Sequence, residues 1–292
     1  MADFPLYIPR KTLIKSRLGS KLIKEAPLAR GLVGYWPMNE RAGNVVNDLS
    51  GHYSLVWNGT SSSWVVGTVG TAIRFPGTET DYLSINSAVR TTADPFTVIC
   101  VARRSDGGTD LKGLFGIQGT ASTDVVLAAY YNADYNGFGV SRNVSNAGWK
   151  GRGAGAALTQ SDWHMFAVTC AGGDVYPALY VDGVSWGTDQ AYDLLGWATN
   201  ATHIGRGYQL EYSAGSDVAL FQIYDRVLSP TEIAALYADP YMGFADTDLA
   251  MYVSGEEEPP ATTRVQVIMM GSLIPLLLIF ARFRRTEARL RQ

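Results

Sequence analysis

Residues 163–187 read WHMFAVTCAGGDVYPALYVDGVSWG, and two features of that stretch govern how the rest of the chain is read. Strand geometry sends successive side chains to opposite faces. WHMFAVTC therefore places Trp163, Met165 and Ala167 on one side and His164, Phe166, Val168 and Cys170 on the other. Asp182-Gly183 lies between two strand-like runs, and both residues tolerate positive φ, which predicts a tight hairpin. His164 shares its side with apolar neighbours, and no acid and nucleophile are paired with it at the level of sequence. It is read as a strand residue hydrogen-bonded near a sheet end rather than as a catalytic base.

Outward from this hairpin the same texture continues. TAIRF, DYLSI, FTVICVAR, DVVLAAYY, GFGVSR, THIGR and DVALFQIYD alternate at period two or are short and apolar, separated by Gly, Asn, Asp and Ser clusters. That spacing predicts an all-β, antiparallel sandwich over residues 31–244. One helix is expected, in SPTEIAALYAD: Ser229 caps, Pro230 takes the first helical position and Glu232 closes a capping box. Ile233, Leu236 and Tyr237 form its apolar face.

The net charge of −3 hides a segregated pattern. Residues 1–30 carry seven Lys/Arg against two Asp/Glu, residues 264–292 six against one, and residues 245–263 five acids and no base. The body, 31–244, holds 11 bases and 19 acids. An acidic body excludes nucleic acid as its main ligand, because phosphate binding needs clustered Lys/Arg. Cys100 and Cys170 are too few for a disulfide framework and lack metal-site spacing, so they are read as buried thiols, with a cross-strand bridge as the alternative.

Residues 1–30 form a basic arm with an imperfect helical pattern, suited to an acidic partner, a membrane surface or solvent. No secretory signal is visible. Residues 245–263 read as an acidic, proline-containing linker. The 17 apolar residues 265–281 predict a C-terminal helix about 26 Å long, near the lower limit for a bilayer span. Five arginines follow it, which by the positive-inside rule puts the tail in the cytoplasm. Three readings stay open: an anchor inserted by an unusual route, a tail anchor against that rule, or a helix packed in a protein assembly.

GLVGYWPMNERAGNVVNDLSG (31–51), the Trp163–Thr169 run followed by LYVDG, and DVALFQIYDRVLSPTEIAALY (217–237) stand in the order seen in laminin G-like, concanavalin A-like jelly-roll domains. The chain resembles that family over about 210 residues. PLARGLVGYW and ALYADPY are also similar to versions in tailed-phage and prophage structural proteins. The resemblance implies a double-sheet sandwich acting as a carbohydrate-binding or adhesion module on a virion or cell surface. Its expected partners are a glycan or cell-surface polysaccharide, other virion subunits or a membrane, within a homo-oligomer or larger assembly. Release by lysis would account for the missing signal. The alternatives are a structural virion protein that uses the jelly roll only as a building block, and a glycan-active hydrolase or lyase. Against the latter, Glu79-Thr80-Asp81-Tyr82-Leu83-Ser84 lacks the second glutamate of the laminarinase-type strand motif that retaining hydrolysis uses.

The resemblance further implies one calcium ion held by Asp48, with Ser50 and Gly51, and by Asp217 at the start of the last long strand. His52 departs from the usual Asn or Gly there. For sugar contact, aromatic and polar residues in the loops are the candidates: Tyr135, Trp149, Arg206 and Tyr208.

Overall fold

The computed structural model describes residues 21–23, 26–67, 70–78, 80–85, 95–106, 112–119, 125–132, 137–143, 150–154, 158–171, 177–188, 199–206, 215–241 and 244–245. In chain order the strands are β1 (Lys21–Leu22), β2 (Leu32–Trp36), β3 (Val45–Val46), β4 (Leu55–Asn58), β5 (Ser63–Gly67), β6 (Gly70–Pro76), β7 (Tyr82–Ile85), β8 (Phe96–Arg104) and β9 (Lys112–Gly119). They continue as β10 (Val125–Asn132), β11 (Gly137–Asn143), β12 (Lys150–Ala154), β13 (His164–Cys170), β14 (Ala178–Val181), β15 (Val184–Thr188), β16 (Thr199–Ile204), β17 (Gly215–Tyr224) and, beyond helix α1 (Pro230–Ala238), β18 (Phe244–Ala245).

Two large antiparallel sheets result, and β1 pairs with β18 in a separate two-stranded one. The first runs β15-β14-β13-β8-β17-β6-β5, with β2 also paired to β17; the second runs β12-β11-β10-β9-β16-β7-β4-β3. The non-consecutive neighbours are those of a sandwich whose strands cross between layers. Between the sheets lie Trp36, Phe75, Phe115, Phe138, Phe166 and Phe221, each buried, together with the Val168, Cys170, Ile204 and Val218 side chains. Burying each large apolar side chain contributes roughly 1.5–3 kcal/mol.

The alternation expected for residues 163–170 is the one observed. Phe166, Val168 and Cys170 enter the inter-sheet core, whereas Met165 and Ala167, with Trp163 beside them, join a second cluster on the outer face of the first sheet. That second cluster includes Tyr35, Ile99, Leu220, Ile233 and Leu236. Helix α1 closes over it with the expected capping box between Ser229 and Glu232. The Arg226 hydrogen bond, with help from Ser229, holds the Glu232 carboxyl down at about 2. Both cysteines are free and buried, so the bridge alternative is set aside.

The domain begins earlier than residue 31. A short 3-10 turn, Pro27–Ala29, buries Leu28, and Arg226 Nε donates to the Arg30 carbonyl at 2.8 Å. Lys21–Leu22 pairs with Phe244–Ala245. Among the described residues no helix is long and apolar enough to cross a membrane. The segment 265–281, with the C-terminal helix expected for it, lies outside the described residues, as do most of the basic arm and the acidic linker.

Asp182 and Gly183 form the expected two-residue turn, with φ of 52° and 79° and Val181 facing Val184 across it. A Cβ on Gly183 would stand 3.0 Å from Tyr237 Cβ and 3.2 Å from Ala234 Cα, so the helix rests directly on the turn. Gly183→Val combines a left-handed backbone with that overlap. It is expected to lower stability by about 2 kcal/mol, measurable as a reduced urea midpoint, whereas Val184→Thr, at an exposed strand position, should leave the midpoint nearly unchanged.

Candidate functional site

The acidic residues singled out by sequence are all occupied. Asp48 Oδ1 accepts the Tyr35 and Ser50 amides at 2.8 Å each, and Oδ2 accepts the Ser50 hydroxyl and the His52 and Tyr53 amides at 2.7, 3.1 and 2.9 Å. Five donors saturate the carboxylate and fold the 48–53 turn around it. Asp217 lies wholly buried between two arginines in register on the neighbouring strands. Arg74 Nε and Nη2 donate at 2.7 and 3.0 Å, and Arg103 Nε at 2.9 Å. Burial pushes the Asp217 pKa up, but the Arg74 and Arg103 hydrogen bonds and charges outweigh it and leave it below the ordinary carboxylate value.

These two aspartates do not meet. Asp48 binds the amide of Tyr35, which pairs with Gln222, five residues along β17 from Asp217 and so about 17 Å away at strand spacing. The expected calcium set Asp48, Ser50, Gly51 and Asp217 therefore does not form one site. Each acid is instead a structural hub, and among the described residues no group of three or more His, Cys, Asp or Glu side chains could hold a metal ion.

His164 does have an acid, which the sequence did not reveal: the hairpin turn returns Asp182 to it. Its Nδ1 stands 2.7 Å from Asp182 Oδ2 and its Nε2 3.1 Å from the Thr159 carbonyl, while Asp182 Oδ1 accepts the Met165 amide at 2.9 Å. With an acceptor at each nitrogen, both must carry hydrogen, so the ring is satisfied best as imidazolium. Burial lowers its pKa, but the Asp182 hydrogen bond and charge, with Thr159 and Asp162, outweigh this and raise it above 6.5. Neither nitrogen is left to act as a base. Asp81, from the incomplete hydrolase-like motif, is likewise enclosed, accepting the Ser61 and Ser62 amides at 2.7 and 3.0 Å and the Thr78 hydroxyl.

A different constellation lies on the second sheet. Along β7, Leu83 and Ile85 face the core, which turns Tyr82 and Ser84 to the opposite face. Ser84 pairs with His203 on β16 and with Val56 on β4, and Tyr82 pairs with Asn58. Asn58 Nδ2 donates to Ser84 Oγ at 2.9 Å. The Tyr82 and His203 rings meet edge to face at 5.1 Å. After His203 the chain passes Gly205 at φ 89°, and the Arg206 guanidinium comes to lie 3.5 Å over the centre of the Tyr82 ring.

Arg206 is thus not the exposed loop contact expected from sequence. It is 7% exposed, and it packs on an aromatic ring. Its Nη2 is 3.4 Å from each His203 ring nitrogen, too long for a strong bond to either. Its Nε–H is buried with no hydrogen-bond partner. Burial lowers the Arg206 pKa and Tyr82 partly restores it. Burial first, then the Arg206 charge, push His203 down from 6.5 to about 3, so its ring is neutral. Tyr135, Trp149 and Tyr208 lie outside the described residues. Tyr82, Ser84, His203 and Asn58 were not picked out from sequence, although the alternation in DYLSI and THIGR already turns Tyr82, Ser84 and His203 away from the core.

The profile of the laminin G-type concanavalin A-like lectin/glucanases superfamily matches residues 76–234. The chain belongs to that superfamily. No curated protein matches its sequence. Among solved structures, Trypanosoma rangeli sialidase superposes with a TM-score of 0.56 at 15% identity, over 73% of this chain and 33% of the sialidase. Domain 4 of AbnA, an extracellular arabinanase from Geobacillus stearothermophilus in complex with arabinotriose, gives 0.55 at 13% identity over 70% of this chain and 98% of that domain. The binding domain of Paraclostridial Mosquitocidal Protein 1 gives 0.56 at 13%, over 71% of this chain and 52% of that one. These likenesses establish a shared sandwich. The chain spans about a third of the sialidase's length.

The two histidines are expected to titrate on opposite sides of 6.5. By NMR, His164 should lose its proton only above its unfolded value of about 6.5, and His203 should stay neutral until about pH 3. Because the folded pKa of His164 is raised, its contribution to stability is complete below pH 6.5 and fades as pH rises through the folded value. His203 acts in the reverse sense, destabilising the fold as pH falls from 6.5 toward 3. His164→Gln should therefore reduce stability at pH 6 more than at pH 9.

Proposed function

We propose that the protein is a non-catalytic carbohydrate-binding or adhesion module of a particle or cell surface, and that it holds its ligand on the outward face of the second sheet around Asn58, Tyr82, Ser84, His203 and Arg206. One observation carries this reading: polar side chains converge on the sheet face turned from the core, and one of them keeps a buried, unsatisfied donor. Sugar recognition uses such a set, in which a few placed donors and acceptors fix the hydroxyls beside an aromatic surface. The fold shared with an arabinotriose-bound domain and with a toxin binding domain supports the same class of role. The resemblance of PLARGLVGYW and ALYADPY to phage structural proteins supports the particle setting.

The absence of turnover belongs to the proposal as well. It is supported by the chemistry already committed elsewhere: His164 offers no basic nitrogen, Asp81 accepts amides and hydroxyls, and Asp217 is neutralised by two arginines.

Glycan-array screening of the full chain, followed by calorimetry, tests the reading. Saturable binding of at least one glycan is expected, without release of reducing ends. Val56→Glu, which puts a larger charged side chain at a position 48% exposed on the same face, and Asn58→Ala, which removes one hydrogen-bonding amide, should each weaken binding about tenfold, with the fold retained by circular dichroism. Failure to bind any glycan, or binding indifferent to both changes, would overturn it.

A further inference from the structure

Among the described residues, the outward face of the second sheet holds a buried cation, Arg206, without a counter-ion. Other described arginines of the sandwich have carboxylates: Arg74 and Arg103 share Asp217, Arg104 Nε meets Asp106 at 2.6 Å, and Arg226 Nη2 meets Glu232 at 2.7 Å. Arg206 is the exception among these, with only the Tyr82 ring below it and a neutral His203 at 3.4 Å. Leaving a guanidinium in a desolvated place without an anion is unfavourable. An aromatic ring offsets only part of that.

Tyr82 covers the guanidinium from one side, with Cζ 3.5 Å above the ring centre. The edge carrying Nε–H and Nη2 is left with one unpartnered donor and one only loosely engaged. Two parallel N–H groups at that spacing match the two oxygens of a carboxylate. Next to this edge, neutral His203 presents a ring nitrogen, and Asn58 and Ser84 add an amide and a hydroxyl, the groups that hold sugar hydroxyls. Asn58 is half-buried and Val56 beside it is exposed, so the cluster opens to solvent on the β4 side.

Resting on the glycan-binding reading of this face, we infer that its ligand is an acidic sugar, a uronic acid or another carboxylated residue, whose carboxylate forms a side-on pair with Nε and Nη2 of Arg206. Ring hydroxyls of the same residue fall to His203, Ser84 and Asn58. The neutral state of His203 suits this arrangement, since it can both donate to and accept from a hydroxyl.

The test uses the full chain and a panel in which only the charge differs: oligogalacturonate, oligoguluronate, hyaluronan fragments and sialyllactose, each beside its carboxyl methyl ester, with a sulfated galactan as the second anion source. At least one acid should bind about 10- to 100-fold more tightly than its own ester, the range for a charge-assisted pair. Arg206→Gln should abolish that preference while weak ester binding persists. Arg206→Lys, which keeps the charge but not the fork, should recover only part of it. Independently of any variant, the Arg206 Nε–H resonance should move downfield on titration with the acid and not with the ester. Equal affinity for every acid and ester, or no movement of Nε–H on saturation, overturns the inference and leaves the glycan-binding reading in place. Tighter binding of the sulfated galactan than of any carboxylate would overturn the carboxylate assignment. Absence of binding to every member, neutral or acidic, would remove both.

Discussion

The first sheet must be covered on both faces, and the location of everything else follows from that constraint. Every residue of β17 is buried. One side of the strand faces the aromatic core between the sheets, the other lies under helix α1 and the 3-10 turn at Pro27–Ala29. This is why the runs FTVICVA and HMFAVTC look continuously apolar when an antiparallel sheet with one wet face would alternate. The centre of the first sheet is thus sealed on both sides, whereas the second sheet turns the polar side chains Asn58, Tyr82, Ser84 and His203 away from the core.

Four aspartates of the body divide the labour of holding turns and strands. Asp48 organises one turn by accepting five donors, Asp81 another by accepting two amides and neighbouring hydroxyls, and Asp217 bridges three adjacent strands through paired arginines. Asp182 does two tasks at once, closing the β14–β15 turn and orienting His164. All four hold backbone or side-chain donors that would otherwise be left unpaired, at a place where the sheet ends or the chain reverses. The common logic is enclosure: each carboxylate accepts several donors from its own turn or neighbouring strands and so stabilises it.

Much of the architecture was legible because it rests on short-range patterns. Period-two alternation gave the facing of Trp163–Cys170, Asp182-Gly183 gave the turn, and Ser229-Pro230 with Glu232 gave the helix start. The candidate site was far less legible. The pairing of His164 with Asp182 depends on a register between β13 and β14, and that of Asp217 with Arg74 on contact across 143 residues. Neither is written locally. That Asp48 and Asp217 stand apart has the same cause, since two acids in family order need not meet in space. Arg206 was chosen from sequence as a loop contact, whereas the structure buries it against the Tyr82 ring. Tyr82 and Ser84 show the converse: their facing is readable from DYLSI, but that His203 and Arg206 would be brought beside them is not.

Gly205 ties that placement to the core. It adopts φ 89°, its amide donates to the Leu114 carbonyl at 2.8 Å, and a Cβ there would sit 2.5 Å from the Phe75 ring. Phe75 is itself wholly buried between the sheets. The backbone immediately before Arg206 is therefore fixed by core packing, and the guanidinium is carried to the Tyr82 ring on that support. The free energy of desolvating it is spent when the protein folds. A partner that reaches the free edge meets a donor already stripped of water and already oriented, so little of its interaction is consumed in reorganisation. An isolated charge is unfavourable for the fold taken alone, and it becomes intelligible once the same geometry is seen from the side of a bound anion.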